Sequence, residues 1–145
     1  MNKICTSIEQ SQKLLELGID VNTADFMWEY DCDKEIYWDK PTIIPIDDYI
    51  CVNDIPAWSL SALMNMLPSE FTEVGKYSTT IYEIKIRKYN LIEDVNLYQI
   101  AYGNYKFHEE DGHSYWKDMI NTGEKEDLLD AVFQMICWLK ENNKL

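Results

Sequence analysis

The sequence has few of the features that mark catalytic or metal-binding proteins. It contains only two histidines and four cysteines in 145 residues. No GxSxG, HExxH or glycine-rich phosphate-binding motif occurs in it. Its cysteines form no CxxC pair, so free thiols are expected and a zinc site built from them is not. These cysteines are Cys5, Cys32, Cys51 and Cys137. The absences favour a binding protein over an enzyme, and no cofactor is expected.

Long apolar runs are also missing. No stretch approaches the ~20 apolar residues that span a bilayer. Met1 is followed by a polar, amphipathic segment, which is not the pattern of a secretion signal. Together with the expected free thiols, these features predict a cytoplasmic protein that does not associate with membranes.

Basic residues are scarce, with 13 Lys and Arg against 26 Asp and Glu, for a net charge of -13. Such a chain repels phosphates, so direct binding to nucleic acid is not expected. The acids concentrate in residues 16–54, whereas Lys85, Arg87 and Lys88 cluster in one segment. The acidic stretch is interpreted either as a solubilising surface or as a surface that orients a basic protein partner.

The composition is otherwise that of a folded chain. Hydrophobic residues make up 46% of the sequence and aromatics 13%, which is enough for a packed core. The length is typical of one domain, so a single globular domain over residues 1–145 is predicted.

Capping signals and apolar periodicity predict three helices. The first covers residues 7–17, with a capping box formed by Thr6 and Glu9 and a C-terminal cap at Gly18. The second follows Ser59 as N-cap and ends before Pro68. The third carries an apolar stripe that must pack against another element. Its stripe consists of Leu128, Val132, Met135, Ile136 and Leu139, broadened by Leu129 and Phe133.

Alternating patterns predict antiparallel strands between the helices. A hairpin is expected from residue 26 to residue 39, with a three-residue loop at Cys32-Asp33-Lys34. In that register Trp28 opposes Trp38 and Tyr30 opposes Ile36. Residues 40–57 indicate mostly loop, with a short edge strand at residues 49–52. Residues 81–118 indicate a four-stranded meander that turns at Gly103-Asn104 and again at Asp111-Gly112.

The second of these turns holds the strongest candidate for chemistry. A turn at Asp111-Gly112 sets Glu110 opposite His113 and keeps His108 on the same face. His108, Glu110 and His113 are therefore the candidate ligands of a metal-assisted hydrolase. The same face also carries Lys106, Gln99 and Tyr115, which indicates a solvated sheet surface, while Phe107 and Trp116 point to the other side.

The aromatic residues admit two interpretations. Five tryptophans and ten tyrosines are enough to supply a core, and core packing is expected for about two thirds of the large aromatics singled out. Any that prove to be exposed together indicate a protein interface. The residues concerned are Trp28, Tyr30, Trp38, Trp58 and Trp116.

Several blocks of the sequence resemble a group of small uncharacterised proteins encoded in phages, prophages and mobile elements of gut anaerobic bacteria. The blocks are residues 5–11, 14–18, 23–25, 55–63 with Pro68, 129–131 and 135–139. The resemblance implies an intracellular accessory protein and supplies no catalytic residue. Because the blocks coincide with the three predicted helices, a shared structural framework is the expected reason for them.

The sequence thus predicts an α+β protein in which an antiparallel sheet, a hairpin plus a meander, is packed by about three helices. The C-terminal helix lies across the sheet. The function expected is that of a non-enzymatic accessory protein that binds a protein partner. A metal-assisted hydrolase that uses the His108, Glu110 and His113 hairpin is the alternative.

Overall fold

The structure, a computed structural model, describes residues 3–44, 52–92 and 95–145. It has three α-helices and antiparallel sheets, and this confirms the predicted α+β class. The chain divides into two compact units, Met1–Met66 and Leu67–Leu145. That residues 1–145 behave as one domain stays a prediction. Within the described ranges, no helix combines the length and the apolarity that crossing a membrane requires.

Helix α1 of the first unit spans Ile8–Glu16. Its capping box joins Ser7 and Gln10, one residue later than the predicted Thr6 and Glu9. The hydroxyl of Thr6 is engaged elsewhere, because it lies 2.7 Å from Ser11 Oγ and is buried. Gly18 follows the helix with φ +77°, which confirms the predicted left-handed cap.

Five short strands follow α1 among the residues of the first unit that the structure describes. They are β1 (Phe26–Trp28), β2 (Tyr30–Asp31), β3 (Ile36–Tyr37), β4 (Thr42–Ile43) and β5 (Ile55–Ala57). Strands β2 and β3 form a hairpin, whereas β1 lies between β4 and β5 in a separate sheet. Residues 26–28, which were predicted as the start of the first hairpin strand, pair with β4 and β5 instead. The hairpin is therefore shorter than expected.

The predicted register of this hairpin is wrong by one residue. Tyr30 pairs with Tyr37, and Trp28 pairs with Ile55 of β5. The loop has four residues instead of three because Glu35, with φ +55°, belongs to the turn. A shift of one residue in register reverses which side chains share a face.

Strands β4 and β5 lie where mostly loop was predicted. A loop was predicted around Pro56 because proline cannot donate a hydrogen bond to a neighbouring strand. In the structure β5 is an edge strand, a position that tolerates proline, and its three residues are buried. The strand predicted at residues 49–52 falls mainly on residues 49–51, which lie outside the described part of the chain. Helix α2 (Leu60–Met66) follows, and the hydroxyl of Ser59 accepts a hydrogen bond from the Ala62 amide, as expected of its N-cap.

The second unit is built on a four-stranded antiparallel meander. Its strands are β6 (Glu70–Val74), β7 (Thr79–Ile92), β8 (Val95–His108) and β9 (His113–Asn121), hydrogen-bonded in that order. The sequence predicted four strands but divided β8 at Gly103-Asn104 and missed β6. Gly103 is not in a turn. A Cβ atom there would lie 2.2 Å from the carbonyl oxygen of Lys117, so glycine permits a close approach of β9.

Helix α3 (Leu128–Glu141) packs on β8, and this confirms the predicted C-terminal helix across the sheet. Its N-cap is Asp127, whose carboxylate accepts a hydrogen bond from the Leu129 amide at 2.8 Å. Leu129, which was predicted to broaden the stripe, is buried, whereas Leu128, which was predicted within it, is only half-buried. The remaining buried residues of the helix are Ala131, Val132, Met135, Ile136 and Leu139.

The sheet presents two different faces. Side chains alternate along each strand, and directly paired residues point to the same side. Phe71 contacts Tyr102 of β8 and Trp138 of α3, with ring centroids 5.1 and 6.2 Å away, respectively. Tyr102 therefore lies on the face that the helix covers. Lys85 and Arg87 of β7 alternate with residues of that face and therefore point to the opposite one.

Candidate functional site

Strands β7 and β8 separate at Gly103. Their pairing ends with Glu83 opposite Gly103, and residues 79–82 of β7 pair with β6. Residues 104–108 of β8 pair with β9 alone among the described strands. Residues 104–117 therefore form a two-stranded extension of the sheet, which we call the arm. The point at which β7 and β8 part is called the fork.

A bulge in β9 accompanies this separation. Tyr102 pairs with Ile120 and the next residue, Gly103, pairs with Asp118, so Met119 is the extra residue of the bulged strand. Such bulges bend a strand and increase its twist. The bulge in β9 and the glycine of β8 thus lie at the same level of the sheet as the fork.

One face of the arm carries a cation that contacts two neighbouring aromatic rings. Lys85 Nζ lies 4.5 Å from the ring centroid of Trp116 and 5.7 Å from that of Tyr105. The two rings meet edge to face, 5.4 Å apart at an interplanar angle of 82°. Cation–π contacts of this kind stabilise a fixed geometry of the three side chains.

An ion pair anchors this cluster to the rest of the sheet. The two terminal guanidinium nitrogens of Arg87 donate to the carboxylate of Asp118, at 2.6 and 2.8 Å. Trp116 Nε1 also donates to Asp118, at 2.6 Å, and Arg87 donates to Gln99 Oε1 at 2.8 Å. Hydrogen bonds from Arg87 lower the pKa of Asp118 to about 2, with a smaller contribution from Trp116. The carboxylate is therefore charged throughout the physiological range.

Aromatic side chains of the arm are exposed to solvent. The exposed fraction is 62% for Tyr105, 65% for Phe107 and 48% for Tyr115. Tyr105 and Phe107 alternate on β8 and share the face of Trp116, which pairs with Tyr105. A group of exposed aromatic residues on one element is typical of protein interfaces. We call Tyr105, Phe107 and Trp116 with Lys85 the aromatic face.

Sequence reasoning missed Tyr105, Phe107 and Lys85 as a group. The alternation of Tyr105 with Phe107 is visible in the sequence, but the turn assigned to Gly103 placed it in a separate strand. Among the tryptophans that were singled out, Trp58 is fully buried and Trp38 is 51% exposed.

The predicted hydrolase residues lie at the tip of the arm. His108 is directly opposite His113, and Glu110 lies in the four-residue loop that joins them, not opposite His113 as predicted. The carboxylate of Asp111, and not that of Glu110, lies 3.3 Å from Nδ1 of His108. Across the described ranges, no three His, Cys, Asp or Glu side chains form a group able to hold a metal ion.

The other residues of this face are partly as expected. Lys106 pairs with Tyr115 beside the two histidines, and Phe107 lies on the opposite side. Gln99, which was expected on the histidine face, lies on the opposite face with Arg87. The predicted register of the tip paired Glu110 with His113 and is wrong by two residues. A shift of two residues leaves each side chain of β8 on its face, but it moves Glu110 from the strand into the loop.

A small cavity of about 160 Å³ lies at the fork. Its lining residues are Tyr82, Asn104, Lys106, Lys117, Asp118 and Met119. Asp118 is already paired with Arg87. Neither Lys106 nor Lys117 has an ion-pair partner within the described part of the chain. The cavity is consequently a local basic site in an acidic protein.

A polar network in the first unit accounts for several of the resemblance blocks. Thr6 Oγ1 accepts a hydrogen bond from the amide of Trp58 at 3.0 Å, and Trp28 Nε1 donates to the carbonyl of Thr6. The carboxylate of Asp25 accepts hydrogen bonds from both the amide and the hydroxyl of Ser59. These contacts join residues 5–11, 23–25 and 55–63, so in this chain the blocks have a structural role.

Comparisons of the chain with protein-family models, with curated proteins and with solved structures give no match.

Proposed function

We propose that the protein is a non-enzymatic accessory protein that binds a protein partner through the aromatic face of the arm. The observation that carries the proposal is the exposure of Tyr105 and Phe107, at 62% and 65%, beside Trp116. Burying an aromatic side chain contributes about 1.5–3 kcal/mol, so these rings are a source of binding free energy that the isolated chain leaves unused.

The geometry of the face supports this proposal because part of the surface is already ordered. Lys85 contacts the rings of both Tyr105 and Trp116, and Trp116 is in turn held by a hydrogen bond to Asp118. A partner that docks here does not have to immobilise these side chains, each of which would otherwise cost about 0.5–1.5 kcal/mol. Cation and rings together form a rigid anchor of the kind found at the centre of interfaces.

The proposed context is a cytoplasmic accessory protein of a phage or mobile element, as the sequence resemblance implies. The proposed partner is a protein and not a nucleic acid, since the net charge of -13 opposes phosphate binding.

A capture experiment with two variants tests the proposal. The tagged chain, its Tyr105→Ser/Phe107→Ser variant and a Tyr77→Ser control are incubated with a lysate of the organism that encodes them. Tyr77 is 88% exposed and lies in the connection between β6 and β7, which is not part of the arm. We expect the wild type and the control to retain the same specific protein and the double variant to lose it. Equal retention by all three would show that the aromatic face is not the binding surface.

Salt distinguishes this function from mimicry of nucleic acid by the acidic stretch of residues 16–54. Contacts made by aromatic rings depend weakly on ionic strength, whereas binding of an acidic surface to a basic groove weakens steeply with salt. We expect retention of the partner at moderate salt. Loss of the partner at moderate salt, with no effect of the arm variant, would favour the mimic instead.

The metal-assisted hydrolase is the second candidate, and one observation favours it. The register places His108 directly opposite His113, and directly paired residues of antiparallel strands have Cβ atoms about 4.5–5.5 Å apart. Metal analysis of protein purified without chelator tests it, with a His108→Ala/His113→Ala variant as control. Stoichiometric zinc that the variant lacks would support the hydrolase, and equal trace amounts in both would exclude it.

A further inference from the structure

We propose that the arm binds its partner by strand addition, in which an extended partner segment pairs with the free edge of residues 104–108 of β8. This inference rests on the proposed function and names the mode of binding and the chemistry of the segment. The aromatic face provides one side of the site and the fork cavity the other.

The backbone supplies the first argument. Residues 104–108 contain no proline, so each carries both an amide donor and a carbonyl acceptor. Pairing with β9 uses the groups on one edge, and the described part of the chain places no strand against the other. Residues 105–108 are exposed, so this edge is open to solvent. Free edges of this kind readily pair with another chain.

The fork provides a second argument. The amide nitrogen of the Asn104 side chain donates to the carbonyl of Ile81 at 3.5 Å, a long hydrogen bond. A carbonyl of β7 is therefore satisfied at the fork by a side chain and not by the backbone of β8. A partner amide can replace Asn104 there at little cost, so the added strand gains contacts with β7 as well as with β8.

The side chains of β8 determine the chemistry of the segment. Lys106, with Lys117 of β9, lines the cavity on one face, and Tyr105 and Phe107 lie on the other. Neighbouring side chains of an added strand would alternate between these two faces. Charge complementarity favours acidic residues on the face of Lys106 and Lys117. Apolar residues are favoured on the aromatic face. The predicted occupant is an extended segment in which acidic and apolar residues alternate.

The tip of the arm limits where the acidic residues of the partner can lie. Its loop carries Glu109, Glu110 and Asp111, which repel carboxylates. The acidic positions of the segment should therefore lie beside Lys106 and Lys117, near the fork. The end of the segment that reaches His108 should be neutral or basic.

Selection from a random library of displayed dodecapeptides tests strand addition directly. The full chain is the bait, and the enriched peptides are synthesised for affinity measurement and for hydrogen exchange. We expect alternating acidic and apolar sequences. We also expect slowed exchange of the backbone amides of Tyr105 and Phe107, because amides alternate between the two edges of a strand and these two point away from β9. Two copies of the best peptide are N-methylated at alternate residues, one at the odd and one at the even positions. The copy whose methyl groups block the amides that pair with β8 should lose binding, and the other copy should retain it.

Charge reversal supplies the matched comparison. A Lys106→Glu/Lys117→Glu variant should bind the selected peptide about tenfold more weakly, since two opposite-charge pairs become like-charge pairs. Lys88→Glu is the control, because Lys88 is exposed on β7 outside the fork. Circular dichroism of all three proteins checks that they fold alike.

The outcomes separate this inference from the proposed function. An absence of enriched peptides, sequences without alternation, or slowed exchange on β9 instead of β8 would each overturn strand addition. If the captured partner still requires Tyr105 and Phe107 in such a case, the aromatic face remains the binding surface. If neither peptide binding nor capture depends on the arm, both proposals are wrong.

Discussion

Arg87 on β7 and Asp118 on β9 form a two-point ion pair although strand β8 lies between them. The pair bridges β8 where Asp118 is opposite Gly103, which has no side chain to obstruct the contact. Trp116 donates to the same carboxylate and also receives Lys85 over its ring. The ion pair thus connects the sheet to the aromatic face of the arm.

Replacing Asp118 by asparagine should make the free energy of unfolding less dependent on pH in the acidic range. The pKa of Asp118 is lowered from 3.8 to about 2 in the folded protein, mainly by Arg87. A lowered pKa stabilises the fold above the unfolded-state value, and that contribution is lost as the pH falls through the folded-state value. The wild type should therefore be more stable than Asp118→Asn above pH 3.8, and the difference should disappear toward pH 2.

Urea unfolding of both proteins at a series of pH values measures this difference. Arg87→Gln and the double variant complete a mutant cycle that isolates the interaction between the two residues. A difference in unfolding free energy that stays constant down to pH 2 would contradict the assigned cause of the pKa shift.

Substituting Gly103 by alanine should destabilise the sheet at the fork. The added Cβ would meet the carbonyl oxygen of Lys117 at 2.2 Å, and a backbone atom cannot move aside without displacing β9. We expect a loss of about 1–3 kcal/mol in the free energy of unfolding, the usual cost of overpacking. Gly112→Asn is the control, since Gly112 has φ +70° and open space around it, and asparagine tolerates that conformation. Equal stability of Gly103→Ala and wild type would contradict the close approach.

Removing the hydroxyl of Thr6 should destabilise the first unit. The hydroxyl is buried, accepts from the amide of Trp58 and contacts Ser11 Oγ. Thr6→Val leaves these groups without a partner, which costs about 1–3 kcal/mol. Thr6→Ser retains the hydroxyl and should cost less. Urea unfolding followed by tryptophan fluorescence compares the two, and a valine variant as stable as the serine variant would contradict the proposed role of the network.

The described cysteines should differ in reactivity. Burial, with a smaller contribution from Asp25, raises the pKa of the Cys5 thiol to about 11, whereas Cys32 is exposed. Because the thiolate is the reactive form, iodoacetamide should label Cys32 and leave Cys5 unlabelled in the native protein at neutral pH. Peptide mapping after alkylation measures both sites. Labelling of Cys5 at the rate of Cys32 would show that the first unit opens in the native state.

Local signals were sufficient for the helices. The Ser59 cap, the Gly18 cap and the apolar stripe of the last helix are each encoded within a few residues, and the structure confirms them. The capping box of α1 was displaced by one residue because the hydroxyl of Thr6 is used by Trp58, a residue 52 positions away. No pattern confined to residues 6–9 contains that information.

The identity and pairing of the strands depended on the tertiary structure. Gly103 has the sequence signature of a turn, yet its role is to let β9 approach β8. The strand at Pro56 pairs with Met27, far along the chain, and the register of β2 with β3 depends on the positive φ of Glu35 in their turn. The sequence by itself determined the α+β class, the caps at Gly18 and Ser59 and the net charge of -13, because these follow from short-range periodicity and composition. Only the tertiary structure produced the fork, the ion pair across β8 and the aromatic face, because each requires strands to meet in one particular register.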